Sequence, residues 1–176
     1  MKFSSRSSKE QKILSKIMLF LVTKADIDDH SNHLAEDIAE LHGDNFTRGW
    51  SAEEIQNILS SRHNFAVIAR EVGKADGRPI GFNILRTTLD EAEILAIAVD
   101  QKMRKLGIGW QLMRASIEHL MSQNIRKLFL EVDENNPSAI ALYKNFGFKT
   151  VGKRGGYYAK ENREASNALI MRLDLD

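Results

Sequence analysis

The sequence predicts a mixed α/β (α+β) domain, and three observations carry that prediction. Apolar residues recur every second position in some segments and every third or fourth in others, so strands and helices are both present. The order is irregular: a strand, two helices, a strand meander, a helix, a strand, a helix and a hairpin. Only two prolines occur, Pro79 and Pro137, and both stand near expected element starts, so neither divides the chain. The 176 residues suit one domain with one sizeable core. Residues 1–15 read as a mobile, basic, Ser-rich arm, and 16–176 as the single domain.

Each element has a local reason. Residues 17–23 are apolar and short, a first strand. Residues 28–41 are polar with Leu34, Ile38 and Leu41 at spacings of four and three, a helix with one apolar stripe. Ser51 followed by Glu54 is a capping-box pattern that opens a second helix. Residues 64–71 and 80–87 are strand-like, and 73–77 between them read as a hairpin turn. The meander continues through 92–99, with Ile94, Leu95, Ile97 and Val99. Residues 107–123 form the strongest helix, striped by Leu112, Ile117, Leu120 and Met121. Residues 127–132 make another strand. A short helix over 137–146 has Asn136 as cap, Pro137 first and Gly147 just past its end, an asymmetry that helix termini favour. Strands at 148–153 and 168–173 close the chain around a polar loop, 159–167.

Composition narrows the function. A formal net charge of +1 gives no electrostatic footprint for nucleic acid. Cysteine is absent, which excludes disulfides, thiolate metal ligands and a cysteine nucleophile and fits a reducing, cytoplasmic setting. The apolar run 17–22 is too short to span a membrane and no small-residue cleavage site follows it, so neither a membrane anchor nor export is expected.

Three features carry chemistry. Arg104-x-x-Gly107-x-Gly109 joins a strand to the strongest helix. Glycines there let the backbone approach a ligand, and the first amides of a helix have no internal partner, so the turn suits a diphosphate. Lys102, Arg104 and Lys105 add positive charge; otherwise the turn is a glycine-containing loop with solvated cations. A dinucleotide fingerprint and a Walker loop both have the wrong spacing. Glu131 alternates with Leu130 and Val132 and shares a strand face with Phe129 and Asp133, the place of a carboxylate beside a wet cleft or of a half-exposed strand glutamate. Tyr143 lies in an Ile140-Tyr143-Phe146 stripe, which also reads as core packing. His30 and His33 have metal-ligand spacing but no further cluster to join them, so no metal is expected.

Residues 92–109, Leu130-Glu131-Val132 with Asn136, and the run Ala139-Ile140-Ala141-Leu142-Tyr143-Lys144-Asn145-Phe146-Gly147-Phe148 closely resemble the GNAT N-acetyltransferases. Gly156-Tyr157-Tyr158, residues 167–173 and Phe46-Thr47-Arg48-Gly49-Trp50-Ser51 resemble its RimI-like subgroup, which acetylates the N-terminal alanine of a ribosomal protein. Gly49 stands where that subgroup usually has proline. The resemblance is strong over about residues 80–175 and weak in the front half.

It implies a mainly antiparallel sheet, splayed between the strands at 92–99 and 127–132 and flanked by helices. Acetyl-CoA would be the cosubstrate, with no metal. Ile97, Ala98 and Val99 would present main-chain groups to the pantetheine arm and acetyl carbonyl. Arg104 would open the turn, and Lys105, Leu106, Gly107, Ile108, Gly109 and Trp110 would hold the pyrophosphate. Asn136 would contact the cofactor, Glu131 would accept a proton and Tyr143 would donate one. Without cysteine, the acceptor amine attacks directly. The expected acceptor is a protein N-terminus, of a ribosomal protein in the subgroup. Another amine (a lysine, a polyamine, an aminoglycoside or an amino acid) is the alternative, and a non-catalytic acyl-CoA-binding module a further one. His42 and His63 are candidates to flank the acceptor groove, Tyr157 and Tyr158 to line its entry, and Asp133 and Glu134 to attract a cation. The oligomeric state is left open.

Overall fold

The computed structural model describes residues 16–24, 26, 33–73, 77–160 and 163–175, with the backbone alone at 156–160 and 163–165. The expected arm, 1–15, and His30 lie outside them. The elements are β1 (Ile17–Val22), α1 (Leu34–Gly43), α2 (Ala52–Leu59), β2 (Asn64–Glu71), β3 (Gly81–Thr88) and β4 (Glu91–Val99). A 3-10 turn (Gln101–Met103) leads to α3 (Ile108–Ser122), β5 (Lys127–Asp133), α4 (Pro137–Phe146), β6 (Lys149–Lys160) and β7 (Arg163–Asp174). Among the described residues no helix is long and apolar enough to cross a membrane.

The strands form one sheet in the order β1-β2-β3-β4-β5-β7-β6. Every pairing is antiparallel except β4 with β5, which is parallel and covers only Glu91↔Lys127 to Ile94↔Leu130. Beyond Ile94 and Leu130 the two strands part, so the expected splay is present.

Its physical origin is a bulge. Ile84 pairs with Ala96 and Leu85 with Ile94, leaving Leu95 as an extra residue in β4. A bulge bends its strand and reverses the side-chain alternation after it. Ala92 and Ile94 accordingly join the cluster beneath α3 and α4, while Ala96 and Ala98 join the one beneath α1 and α2.

The sheet therefore has two cores. On one face Leu112, Met113, Leu120 and Tyr143 pack over Leu128, Leu130 and Val132. On the other Leu34, Ile38, Ile55 and Leu59 pack over Ala66, Ile68, Phe82 and Ile84. Fully burying an aliphatic side chain of this size contributes about 1.5–3 kcal/mol. Across the first face Asn83 donates to Ser116 Oγ at 2.9 Å, and that hydroxyl donates to the Leu112 carbonyl at 2.8 Å, pinning α3 to β3.

Three expectations change. The stripe of α3 buries Ile108, Met113 and Ser116 beside Leu112 and Leu120, while Met121 is 47% exposed, because at 3.6 residues per turn it falls on the face opposite Leu112. The polar stretch 159–167 is mostly strand, because β6 and β7 pair as far as Lys160↔Arg163 and a hairpin needs no apolar residues at its tip. The first helix begins at Leu34 among the described residues, and residues 28–32 lie outside them.

Candidate active site

The bulge that opens the sheet also decides which backbone groups face the gap. The Asp100 amide donates to the Ile80 carbonyl at 2.9 Å, so residue 100 turns its ladder groups toward β3. Antiparallel pairing alternates with a period of two. Ala98 therefore shares the β3 side, and the main-chain groups of Ile97 and Val99 point into the splay. Of the three positions expected to present main-chain groups to a cosubstrate, Ile97 and Val99 turn theirs toward the gap and Ala98 turns its toward β3.

Beyond Val99 the chain turns sharply. Asp100 accepts from the Lys102 amide at 2.7 Å, closing the 3-10 turn. Lys105 and Gly107 both have positive φ, 62° and 86°. Gly107 is the N-cap of α3 and has no side chain to satisfy its first amides. Its carbonyl accepts from Gln111 at 3.1 Å. The amides of Ile108 and Gly109 thus open the helix with no intrahelical acceptor, at the positive end of its dipole. A Cβ on Gly109 would make ordinary contacts, 3.5 Å from Leu142 and 3.8 Å from Val99, so the helix start sits between β4 and α4. Trp110 and Phe146 complete that junction with ring centroids 5.7 Å apart. Leu106 is half-buried, and Lys102 and Lys105 are exposed beside the turn. Arg104 is committed elsewhere: it donates to Asn45 Oδ1 at 2.5 Å and to the Val99 carbonyl at 3.4 Å.

Glu131 and Tyr143 lie on opposite faces of the sheet. Leu130 and Val132 belong to the core under α3 and α4, so alternation turns Glu131 to the α1–α2 face. There it lines an open cleft of about 380 Å³ with Trp50, Ile58, Arg86, Glu93 and Leu95. Its side chain is 28% exposed and pairs with Arg154 at 3.4 Å. Tyr143 is buried in the other core, its ring 5.8 Å from Phe148. Through the splay in the parallel β4–β5 pairing, a molecule held on the α3–α4 face can meet the α1–α2 cleft.

Asn136 caps α4, its side-chain oxygen accepting from the Ala139 amide at 3.1 Å, which leaves its NH2 for any further contact. Glu134 is engaged by Lys153 at 2.6 Å and by Asn167. These partners hold its carboxyl below the usual range, with the Lys153 hydrogen bond first among them. Glu134 is thus already matched with a cation of the protein. The side chains of Tyr157 and Tyr158 lie outside the described ones.

His63 is exposed. His42 is buried instead of flanking the groove, because the turn after α1 folds back over it. Its ring stacks on Phe46 at 4.2 Å and on Trp50 at 4.4 Å, and its Nδ1 accepts from the Trp50 amide at 3.0 Å. Burial pushes the imidazole down to about 4, with Glu54 opposing, so it is neutral and structural at pH 7. His33 stands 4.0 Å from Glu36 on a surface turn.

Sequence reasoning missed the cleft's other walls. Arg86 and Glu93, 3.7 Å apart, read as ordinary strand charges, and nothing in the apolar run Ile94-Leu95-Ala96-Ile97 marks the bulge. Trp50 stood inside a recognised motif without an assigned role.

The profile of the Acetyltransferase (GNAT) family matches residues 35–148. The [ribosomal protein bS18]-alanine N-acetyltransferase of Haemophilus influenzae is 39% identical over 123 residues, 69% of this chain and 80% of its own. The crystal structure of the ribosomal-protein-S18-alanine N-acetyltransferase from Escherichia coli superposes with a TM-score of 0.76, at 24% identity over 91% of this chain and 94% of that one. Arabidopsis thaliana NAA60, crystallised with acetyl-CoA, superposes with a TM-score of 0.74 at 20% identity, over 90% of this chain and 98% of that one. At these identities the two structures bear on the fold.

Proposed function

This chain belongs to the GNAT acetyltransferase family, and from that premise we propose that it moves an acetyl group from acetyl-CoA to the N-terminal α-amine of a protein, with a ribosomal protein beginning with alanine as acceptor. The observation that carries the reading is the splay: it sets a β4 edge that β5 leaves uncovered and an amide-lined turn on one side and Glu131 in an open cleft on the other.

The residues fit the cosubstrate. The amides opening α3 suit a pyrophosphate, and glycine as the N-cap at 107 leaves no side chain over them. Lys105, Leu106, Gly107, Ile108, Gly109 and Trp110 would form that cradle, with Arg104 setting its entry and the Asn136 NH2 free to add a contact. Ile97 and Val99 offer the gap an exposed strand edge on which an extended amide arm can add as a strand does. When bound, acetyl-CoA supplies an electrophilic thioester carbonyl and a thiolate leaving group.

Glu131 takes the proton of the attacking amine, directly or through one water. The task is light for an α-amine: with an ordinary pKa of about 7.7–8.0, deprotonation at pH 7 costs about 1–1.4 kcal/mol, against about 4.6 for a lysine. A partly exposed carboxylate in a cleft suffices for the first far better than for the second. The Val99 amide donates to the oxygen that becomes negative on attack. Tyr143, from the opposite face, donates its phenolic hydrogen toward the departing sulfur.

The test is intact-mass acetylation of a peptide panel with varied first residues, including an N-blocked, lysine-containing member. The alanine-starting peptide should gain one acetyl group and the blocked one none; the reverse order rejects an α-amine acceptor. In single-turnover assays Glu131→Gln and Tyr143→Phe should each slow acetyl transfer by about 100-fold with coenzyme A affinity kept, and wild-type rates would remove that residue from its role.

A further inference from the structure

The turn after α1 is built as a compact unit. Asn45 Nδ2 caps the helix by donating to the Leu41 carbonyl at 2.7 Å. His42 is sandwiched between Phe46 and Trp50. A Cβ on Gly49 would lie 3.0 Å from Gly43 Cα, so residue 49 is pressed onto the helix end. Arg48 pairs with Glu54 at 2.7 Å, and Glu54 closes the capping box of α2. Trp50, at the far end of this unit, is a wall of the cleft that holds Glu131.

The near end is fastened to the cosubstrate turn by two hydrogen bonds between segments nearly 60 positions apart. Arg104 donates to Asn45 Oδ1 at 2.5 Å, and Gln101 Nε2 donates to the Asp44 carbonyl at 2.9 Å. Arg104 also holds the Val99 carbonyl at the open edge of β4. One guanidinium thus touches the strand edge and the acceptor-side turn, and it opens the amide-lined turn that precedes α3. Three surfaces that must agree for the reaction to occur meet at this clasp.

We infer that Asn45 and Gln101 are positioning residues: through them, occupancy of the 104–109 turn fixes the 44–50 turn and with it the Trp50 wall against which the acceptor docks. Asn45 and Gln101 lie outside both the 104–109 turn and the residues that line the Glu131 cleft. They act by transmitting order, so coenzyme A and the acceptor each favour the other's binding, reciprocally. The inference rests on the proposed acetyl-transfer reading, because it takes the 104–109 turn as the cosubstrate's seat.

Two variants separate the clasp from the helix cap. Asn45→Ala removes both the oxygen that Arg104 uses and the amide that caps Leu41. Asn45→Asp keeps an oxygen for Arg104, now on a carboxylate, and removes the cap. Hydrogen exchange on the full chain, with and without coenzyme A, reads the transmission without any acceptor. In wild type, coenzyme A should slow exchange at 105–110 and also at 44–50, by about fivefold or more at the latter, the lower range of ordinary coupling. In Asn45→Ala protection at 44–50 should weaken, and in Asn45→Ala/Gln101→Ala it should stop at 105–110; in Asn45→Asp it should reach 44–50 again. Steady-state kinetics should show the matching split, with the acceptor KM raised in Asn45→Ala and kcat at saturating acceptor near wild type. Protection at 105–110 in wild type without any at 44–50 overturns the clasp while leaving the acetyl-transfer reading intact. So does protection at 44–50 that survives the double variant Asn45→Ala/Gln101→Ala, in which both bonds are gone. No protection at 105–110 overturns both.

Discussion

His42 shows how a residue near the site can matter for stability without chemistry. Its ring is neutral because it is buried between two aromatic rings, and burial holds its pKa near 4 against an ordinary 6.5. A folded pKa below the unfolded one means the unfolded chain binds the proton first. The stabilisation is complete above about pH 6.5 and drains away as pH falls toward 4. Between pH 7.5 and 5 the loss amounts to about 2 kcal/mol. Carboxylates and His119 titrate as well, so the measurement is a difference between proteins. Urea midpoints of wild type and His42→Gln should converge as pH drops from 7.5 to 5, because glutamine keeps an acceptor for the Trp50 amide but does not titrate. Parallel curves would show that His42 protonates without cost. None of this was legible in the sequence, where His42 reads as a candidate to flank the acceptor groove. What buries it is a turn whose aromatic partners lie four and eight residues ahead, a fold-back that no periodicity encodes.

At the scale of elements, the termini were legible and the irregularities were not. Ser51 with Glu54, and Asn136 with Pro137 and Gly147, act within a few residues, so their meaning survives without tertiary context. The alternation of β5 likewise put Glu131 opposite the core that takes Leu130 and Val132. The Leu95 bulge has no such signature: its neighbours on both sides are apolar, and only the two cores reveal the change of face. The turn before α3 lies between these cases. Gly107 was visible as a glycine at a helix start, and its φ of 86° gives the reason. An Ala there must adopt a left-handed conformation at a cost of about 1–2 kcal/mol. Gly107→Ala should lower the unfolding free energy from urea titration by that amount and weaken coenzyme A by roughly tenfold as the amides lose their aim. Gly43 is the control, since a Cβ added there would meet nothing within 4 Å. Gly43→Ala should leave coenzyme A affinity unchanged and gain up to about 1 kcal/mol from helix propensity. If both variants behave alike, the conformation at residue 107 is not what shapes the turn.

For the whole molecule the question is how a chain of net charge +1 holds a polyanion. A field summed over the surface is too weak to do it, so the attraction must be local: unpaired amides, a helix dipole and the cations flanking them. The same design leaves the sheet parted in its middle, since β4 and β5 pair only from Glu91 to Ile94. An arm laid along the open edge would restore the missing ladder while its diphosphate satisfied the helix start, joining two halves of the sheet that share few bonds. A ligand of this kind binds the folded state alone and stabilises it by mass action. At about one hundred times its Kd, coenzyme A should contribute about 2.7 kcal/mol. For a chain of this length that corresponds to a rise in Tm of about 5–10 °C. Pantetheine carries the arm without the diphosphate, and at equal concentration it should shift the melt by a small fraction of that. Scanning calorimetry with both ligands decides where the binding energy resides. If pantetheine stabilises as well as coenzyme A, the strand edge is the principal seat, and the amides at the head of α3 are an ordinary helix start.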